Sequence, residues 1–219
     1  MLGPISSHLN LRSFVEVTPA GGHPGGRTRQ ALARRIRPIR AIRKQEWDRL
    51  TVGDRYFRGR WAYTSVAARV ADDLIERHRL RSALEVGPYR RPLVVGADVL
   101  DITYHDDLEC EGRVVIHDAT EAPWPFETGR YGLFVALQVF EHLRGRQHVA
   151  FSEVRRVARH AIISLPIDWE MDDPTNPHHR LRHEQALDWF APVVPTHVEV
   201  GNPGPKKRLI YVFENLDRT

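Results

Sequence analysis

The chain is poor in the residues that mark several protein classes. It has a single cysteine, Cys110, in 219 residues, which excludes an internal disulfide framework and points to a reducing, cytoplasmic compartment. No apolar run approaches the roughly 18–20 residues that span a bilayer. The N-terminal M-L-G-P-I-S-S-H lacks the charged and apolar regions of a signal peptide. Without a cysteine pair or H-E-x-x-H, the common zinc signatures are missing. The glycine repeats of a dinucleotide-binding turn are missing too. What is present is ordinary for a globular protein: 42% hydrophobic and 27% charged residues, enough chain for one domain with appendages.

Charge is unevenly spread. Between Arg27 and Arg60 lie twelve basic residues against three acids, although the whole chain is only +4. Such an arm attracts phosphates, nucleic acid or an acidic partner, or else forms a solvated arginine-rich helix. Residues 1–26, with Pro and Gly clusters, are expected to be a flexible leader. Residues 27–80 are expected to form a basic helical cap and residues 81–219 the main domain. Thr28–Trp47 reads as a helix interrupted at Pro38. Trp61–Leu80 reads as an amphipathic helix, with Val66, Val70 and Leu74 on one stripe beside Ala67, Ala71 and Ile75.

After Leu80 the pattern turns to short apolar runs: Ala83–Val86, Asp98–Ile102, Arg113–His117, Gly132–Leu137 and Ala161–Leu165. Near-continuous apolar runs suit parallel strands covered on both faces. Helices are expected near Gly145–Val157 and Glu184–Phe190. His197–Val200 and Arg208–Phe213 are joined by a turn-rich link too short for a helical crossover, so they must pair antiparallel. The most informative stretch is Ser82–Asp101. A strand ends in Glu85-Val86-Gly87-Pro88, and a second strand ends in Asp101 only fourteen positions after Gly87. A glycine turn lets a ligand approach the backbone, and an acid at the next strand's tip suits ribose hydroxyls. The crossover is too short for a full helix. That disfavours a dinucleotide, whose pyrophosphate relies on a helix N-terminus.

These residues resemble the class I S-adenosylmethionine-dependent methyltransferases, in particular the small-molecule, methyltransferase-11-like group. Four landmarks between Ser82 and Glu214 carry the resemblance: Leu84–Pro88, Val99–Ile102, His117–Thr120 with Pro123-Trp124-Pro125-Phe126, and Tyr131–Leu143 ending in Glu141-His142-Leu143. The resemblance implies a Rossmann-like α/β fold with a seven-stranded, mostly parallel sheet in the order 3-2-1-4-5-7-6. One strand is antiparallel and the first crossover helix is shortened. It implies S-adenosyl-L-methionine as cofactor, bound by Glu85, Gly87, Pro88, Tyr89, Arg91, Asp101, Asp118, Ala119, Leu137 and Gln138. Arg90 or Arg91 is expected to pair with the methionine carboxylate or to be simply exposed. Asp101 and Asp118 each have an alternative role as turn or helix caps.

On the acceptor side, His142 is expected as general base, with Glu141 binding ligand or orienting it. Asp168, Trp169, His178, His179 and His183 are expected to wall the acceptor. No metal is expected; the alternative is a divalent ion on Asp172 or Asp173 with His179 and His183. Trp169 and Trp189 either stack on sugar faces or pack in the core. The leading expectation is O-methylation of a saccharide or other small hydroxylated metabolite. An RNA-modifying enzyme using the basic arm and a non-catalytic partner subunit are the other two, and a homodimer is open.

Overall fold

The computed structural model describes residues 16–17, 38–50, 52–54, 57, 59–202 and 206–218. In chain order the strands and helices are β1 (Glu16–Val17), β2 (Arg40–Ala41), α1 (Lys44–Leu50), α2 (Trp61–Arg77), β3 (Ala83–Val86), β4 (Val94–Val95), β5 (Asp98–Asp101), β6 (Val114–Ile116), β7 (Tyr131–Leu137), α3 (Gln147–Val157), β8 (Ala158–Pro166), α4 (His183–Phe190), β9 (His197–Asn202) and β10 (Arg208–Phe213). Eight strands make one sheet in the order β1-β6-β5-β3-β7-β8-β10-β9. From β6 to β9 this is the expected order 3-2-1-4-5-7-6. Strands β6, β5, β3, β7 and β8 are parallel, and β10 runs antiparallel to β8 and β9. Glu16–Val17, within the segment read as a leader, adds an antiparallel edge strand beside β6.

The central strands are nearly all apolar because both faces are covered. On one face Leu84, Phe134, Ala136, Ile163 and Tyr211 pack with α3, α4 and the Trp124–Phe126 segment. On the other, Ala83, Leu133, Val135, Ile162 and Ile210 pack with α1, α2 and β2. The N-terminal helices therefore share the sheet's core. In α2 the buried stripe is Tyr63, Ala67, Val70, Ala71 and Leu74, close to the expected one.

The crossover from β3 to β5 contains no helix. It carries β4, which pairs with β2 in a separate two-stranded ribbon. The helix expected over Thr28–Trp47 is corrected within the described residues, since residues 39–42 are extended and a helix begins only at Lys44. Pro38 offers no amide donor, and Ile39, Ala41 and Ile42 are all buried, a spacing that one extended segment with two covered faces satisfies. The Ile42 amide bonds Leu93 O at 2.7 Å, and the Ala41 amide bonds Asp72 Oδ1 at 2.7 Å. The cap segment thus fills the space that the missing crossover helix leaves.

Glu85 in β3 holds this ribbon from beneath. Its Oε2 accepts the Val94 amide at 3.2 Å, and burial pushes its carboxyl up to about 8 against the pull of the Leu93 and Val94 amides. The folded protein therefore keeps a proton that the unfolded chain releases near pH 4.5. Stability contributed by this group is present below pH 4.5 and is lost as pH rises towards 8. Glu85→Gln is expected to flatten that part of the Tm–pH curve relative to the wild type. Parallel curves across the window would contradict a protonated Glu85.

Candidate active site

Gly87, Asp101, Asp118 and Leu137 all lie at or just beyond the carboxyl ends of parallel strands, where open α/β sheets bind ligands. Gly87 has φ +61°, and a Cβ there would meet Val139 Cγ2 at 3.1 Å. Its amide bonds Leu100 O at 3.0 Å, which ties the turn to β5 beside Asp101. Asp101 is 7% exposed, and burial raises its pKa. The support is thin: a 3.4 Å bond from the Thr103 amide to Oδ1, His105 Nε2 3.8 Å from Oδ2, and a weaker pull from the Ile102 amide. A buried, sparsely compensated carboxylate at a strand end is a candidate ligand site.

A pocket of about 520 Å³, counting space open to solvent, runs from the glycine turn across the end of β7. Glu85, Gly87, Pro88, Tyr89, Arg91, Leu137 and Gln138 line it. Asp101 stands outside its lining, on the β5 side of the turn. Trp47, Phe57, Arg60 and Tyr63 close the pocket from the cap and Leu93 from the crossover, a contribution that local sequence patterns do not show. Tyr89, with φ +64°, stacks on Phe57 at 5.9 Å.

The arginines after the turn are both engaged by acids. Arg90 lies 3.2 Å from Asp54 and 2.8 Å from Asp107, while Arg91 bonds Glu109 at 2.8 Å and lies 3.4 Å from Glu46. Asp118 Oδ1 accepts the Thr120 amide and hydroxyl, each at 2.8 Å, which matches its turn-capping alternative and holds its carboxyl below the usual range. Ala119 is buried, and its carbonyl accepts Trp124 Nε1 at 3.1 Å.

Past the end of β7 a 3₁₀ turn, Phe140–His142, carries the second cluster. Phe140 is buried and anchors the turn, while Glu141 points inward and His142 outward. Neither Glu141 oxygen has a hydrogen-bond partner among the described residues, and burial pushes the carboxyl up to about 8. His178, from the loop after β8, places Nε2 3.1 Å from His142 Nε2 and 3.5 Å from Glu141 Oε1. Burial lowers the pKa of both imidazoles, so both favour the neutral form. Trp169 packs edge-on against His178 at 5.5 Å.

The remaining residues expected on the acceptor wall are otherwise employed. His179 Nδ1 accepts the Met171 amide at 3.2 Å, and Asp168 bonds Lys207 at 3.2 Å. His183 stacks on Tyr211 and bonds its hydroxyl at 3.0 Å. His179 and His183, named with Asp172 or Asp173 as alternative ligands, do not share a helix: α4 begins at His183, where the Arg182 amide bonds the Gln185 side chain. Asp172 is exposed and lies outside the cluster of metal-capable groups, so His178 takes the place expected of His179. Trp189 is partly buried against the core.

Arg208 is a residue that local patterns miss. Its guanidinium lies 5.0 Å over Tyr63 and 4.6 Å over Trp169, and Nε bonds Gln138 Oε1 at 3.2 Å. Only the β10–β8 register, which sets Arg208 opposite Pro166, brings it to this end of the sheet.

No protein-family model and no curated protein matches the chain. Solved structures do. The N-methyltransferase NodS from Bradyrhizobium japonicum, in complex with S-adenosyl-L-homocysteine, is 13% identical with a TM-score of 0.51, over 78% of this chain and 97% of that one. A SAM-dependent methyltransferase from Aquifex aeolicus is also 13% identical, with a TM-score of 0.41 over 60% and 80%. The [4+2]-cyclase SpnF is 15% identical, with a TM-score of 0.44 over 60% of this chain and 58% of its own. The fold is the Rossmann-like one of the class I methyltransferases.

Proposed function

We propose that the chain is an S-adenosylmethionine-dependent methyltransferase acting on a hydroxyl of a saccharide or other small hydroxylated metabolite. The observation that carries the cofactor is the glycine turn at Gly87, with the buried, thinly supported Asp101 beside it at the end of the next strand. Asp101 takes the ribose hydroxyls. The methionine portion lies along Gly87–Tyr89 in the pocket that Leu137 and Gln138 floor. A cofactor without phosphate suits a crossover that has lost its helix. Arg91 reaches the pocket, although Glu109 and Glu46 already hold it.

The acceptor lies over the end of β7, and its hydroxyl loses its proton at the cluster containing His142, the base expected from the sequence. In the transfer, the acceptor oxygen attacks the methyl carbon in line with the sulfonium. The C–S bond breaks, and its electron pair leaves sulfur neutral as a thioether. Positioning supplies much of the rate in such a displacement. The RNA reading has less support: Arg40, Arg43 and Lys44 are held by Glu46, Asp72 and Asp48. No helix among the described residues is long and apolar enough to cross a membrane.

Mass spectrometry of acceptor panels with isotopically labelled S-adenosylmethionine tests this reading. Label is expected on a saccharide or small alcohol. Label confined to RNA would replace the acceptor class, and label on no acceptor would contradict methyl transfer.

A further inference from the structure

We infer that Glu141, His142 and His178 form a binding site for one divalent transition-metal ion, held by the carboxylate and the two Nε2 atoms. Metal–nitrogen and metal–oxygen bonds of about 2.0–2.2 Å, at angles between octahedral and tetrahedral, set neighbouring donor atoms about 3.0–3.5 Å apart. The two imidazole nitrogens are 3.1 Å apart, and the carboxylate oxygen is 3.5 Å from His178 Nε2. All three donor atoms fall within 4.8 Å of one another. The first two separations are those of ligands sharing one coordination shell.

The second observation is the Glu141 carboxylate itself. Its side chain is fully buried, and both oxygens lack a hydrogen-bond partner among the described residues. Leaving a buried polar group unpaired is unfavourable, and more so once it is ionised. Arg208 and Arg60 attract the Glu141 carboxyl electrostatically, but neither hydrogen-bonds to its oxygens, and Arg208 is turned to Trp169, Tyr63 and Gln138. A contrast lies elsewhere in the molecule. His78, His160 and Glu214 form a similar trio, but Arg77 bonds both Glu214 oxygens, at 3.1 and 3.2 Å, so that carboxylate already has its counter-charge.

Two histidines and one carboxylate suit zinc and its neighbours, and three protein ligands leave a position open. Glu141 anchors the ion from beneath, and the exposed His142 puts the open side towards the acceptor. A hydroxyl coordinated there loses its proton to water at a lower pH, because the ion stabilises the oxyanion. His142 is then a ligand instead of the general base. This catalytic role, though not the binding, rests on the methyl-transfer reading above.

The test is a titration of the full-length apoprotein with Co²⁺, followed by visible absorption and backed by calorimetry with Zn²⁺. One ion per chain is expected, with ligand-field bands of low-coordinate nitrogen–oxygen ligation. Glu141→Gln and His178→Ala are each expected to weaken binding at least about tenfold, as loss of a ligand should exceed loss of an outer-shell partner. His183→Ala is expected to leave it unchanged. Absence of stoichiometric binding, or binding that survives both ligand substitutions, would overturn the site. Because Glu141→Gln alters a buried group, His178→Ala on the surface loop serves as the variant that keeps its fold. Calorimetry with S-adenosylhomocysteine on the same samples separates the two readings: a chain that binds the ion but not the nucleoside loses the methyltransferase reading and keeps the metal site.

Discussion

Asp101→Ala is expected to weaken S-adenosylhomocysteine binding about 100-fold or more while the protein stays folded. Two hydrogen bonds from ribose hydroxyls to a carboxylate are each worth about 1.5–3 kcal/mol, and each 1.4 kcal/mol is tenfold in affinity. Within the protein the same carboxylate gains little, with a long bond from the Thr103 amide, weaker pulls from His105 and the Ile102 amide, and a pKa raised by burial. Its loss therefore falls on the ligand and spares the fold. Asp101→Asn, which keeps one acceptor and removes the charge, should lie between alanine and wild type in affinity. Calorimetry alongside thermal unfolding checks the split. A large fall in Tm with unchanged affinity would make Asp101 a structural residue.

Phe190→Ala is expected to cost about 3–5 kcal/mol, the range for truncating a buried aromatic. At about 2–4 °C per kcal/mol for a chain of this size, the Tm should drop by roughly 6–20 °C. Phe190 is completely buried in α4 and sits at the centre of an aromatic group. Phe151 and Phe213 are 5.0 Å away, Tyr211 5.3 Å and Phe140 6.1 Å. Phe140 begins the turn that presents Glu141 and His142. The cavity should therefore loosen the metal-binding cluster, whose turn Phe140 begins, more than the glycine turn at the end of β3. Cobalt affinity measured well below the Tm should fall further than nucleoside affinity. Phe190→Leu should restore most of the stability, and equal Tm values for all three proteins would show that the aromatic group does not carry α4.

The sheet was legible because its evidence is local. Apart from Glu85 and the leading Arg208, Ala83–Val86, Tyr131–Leu137 and Arg208–Phe213 are apolar, and both faces of each are covered. The short crossover after Gly87 was equally plain from spacing alone. What replaced its helix was not. The ribbon joins Arg40–Ala41 to Val94–Val95, two residues from each side and more than fifty positions apart, so no local period records it. The site divides in the same way. Gly87, Asp101 and Glu141–His142 sit at strand ends that pattern predicts, whereas His178 meets His142 across 36 positions through a loop without periodicity. In the tract Pro177-His178-His179 nothing distinguishes the two histidines. Backbone geometry does, turning the His179 ring onto the Met171 amide and leaving His178 to face the cluster.

Isothermal titration of the intact wild-type chain with S-adenosylhomocysteine bears most directly on the nucleoside site at Gly87 and Asp101. One molecule bound per chain, with affinity lost in Asp101→Ala, is the predicted result. No heat of binding at millimolar ligand, from a chain that unfolds cooperatively, would contradict it.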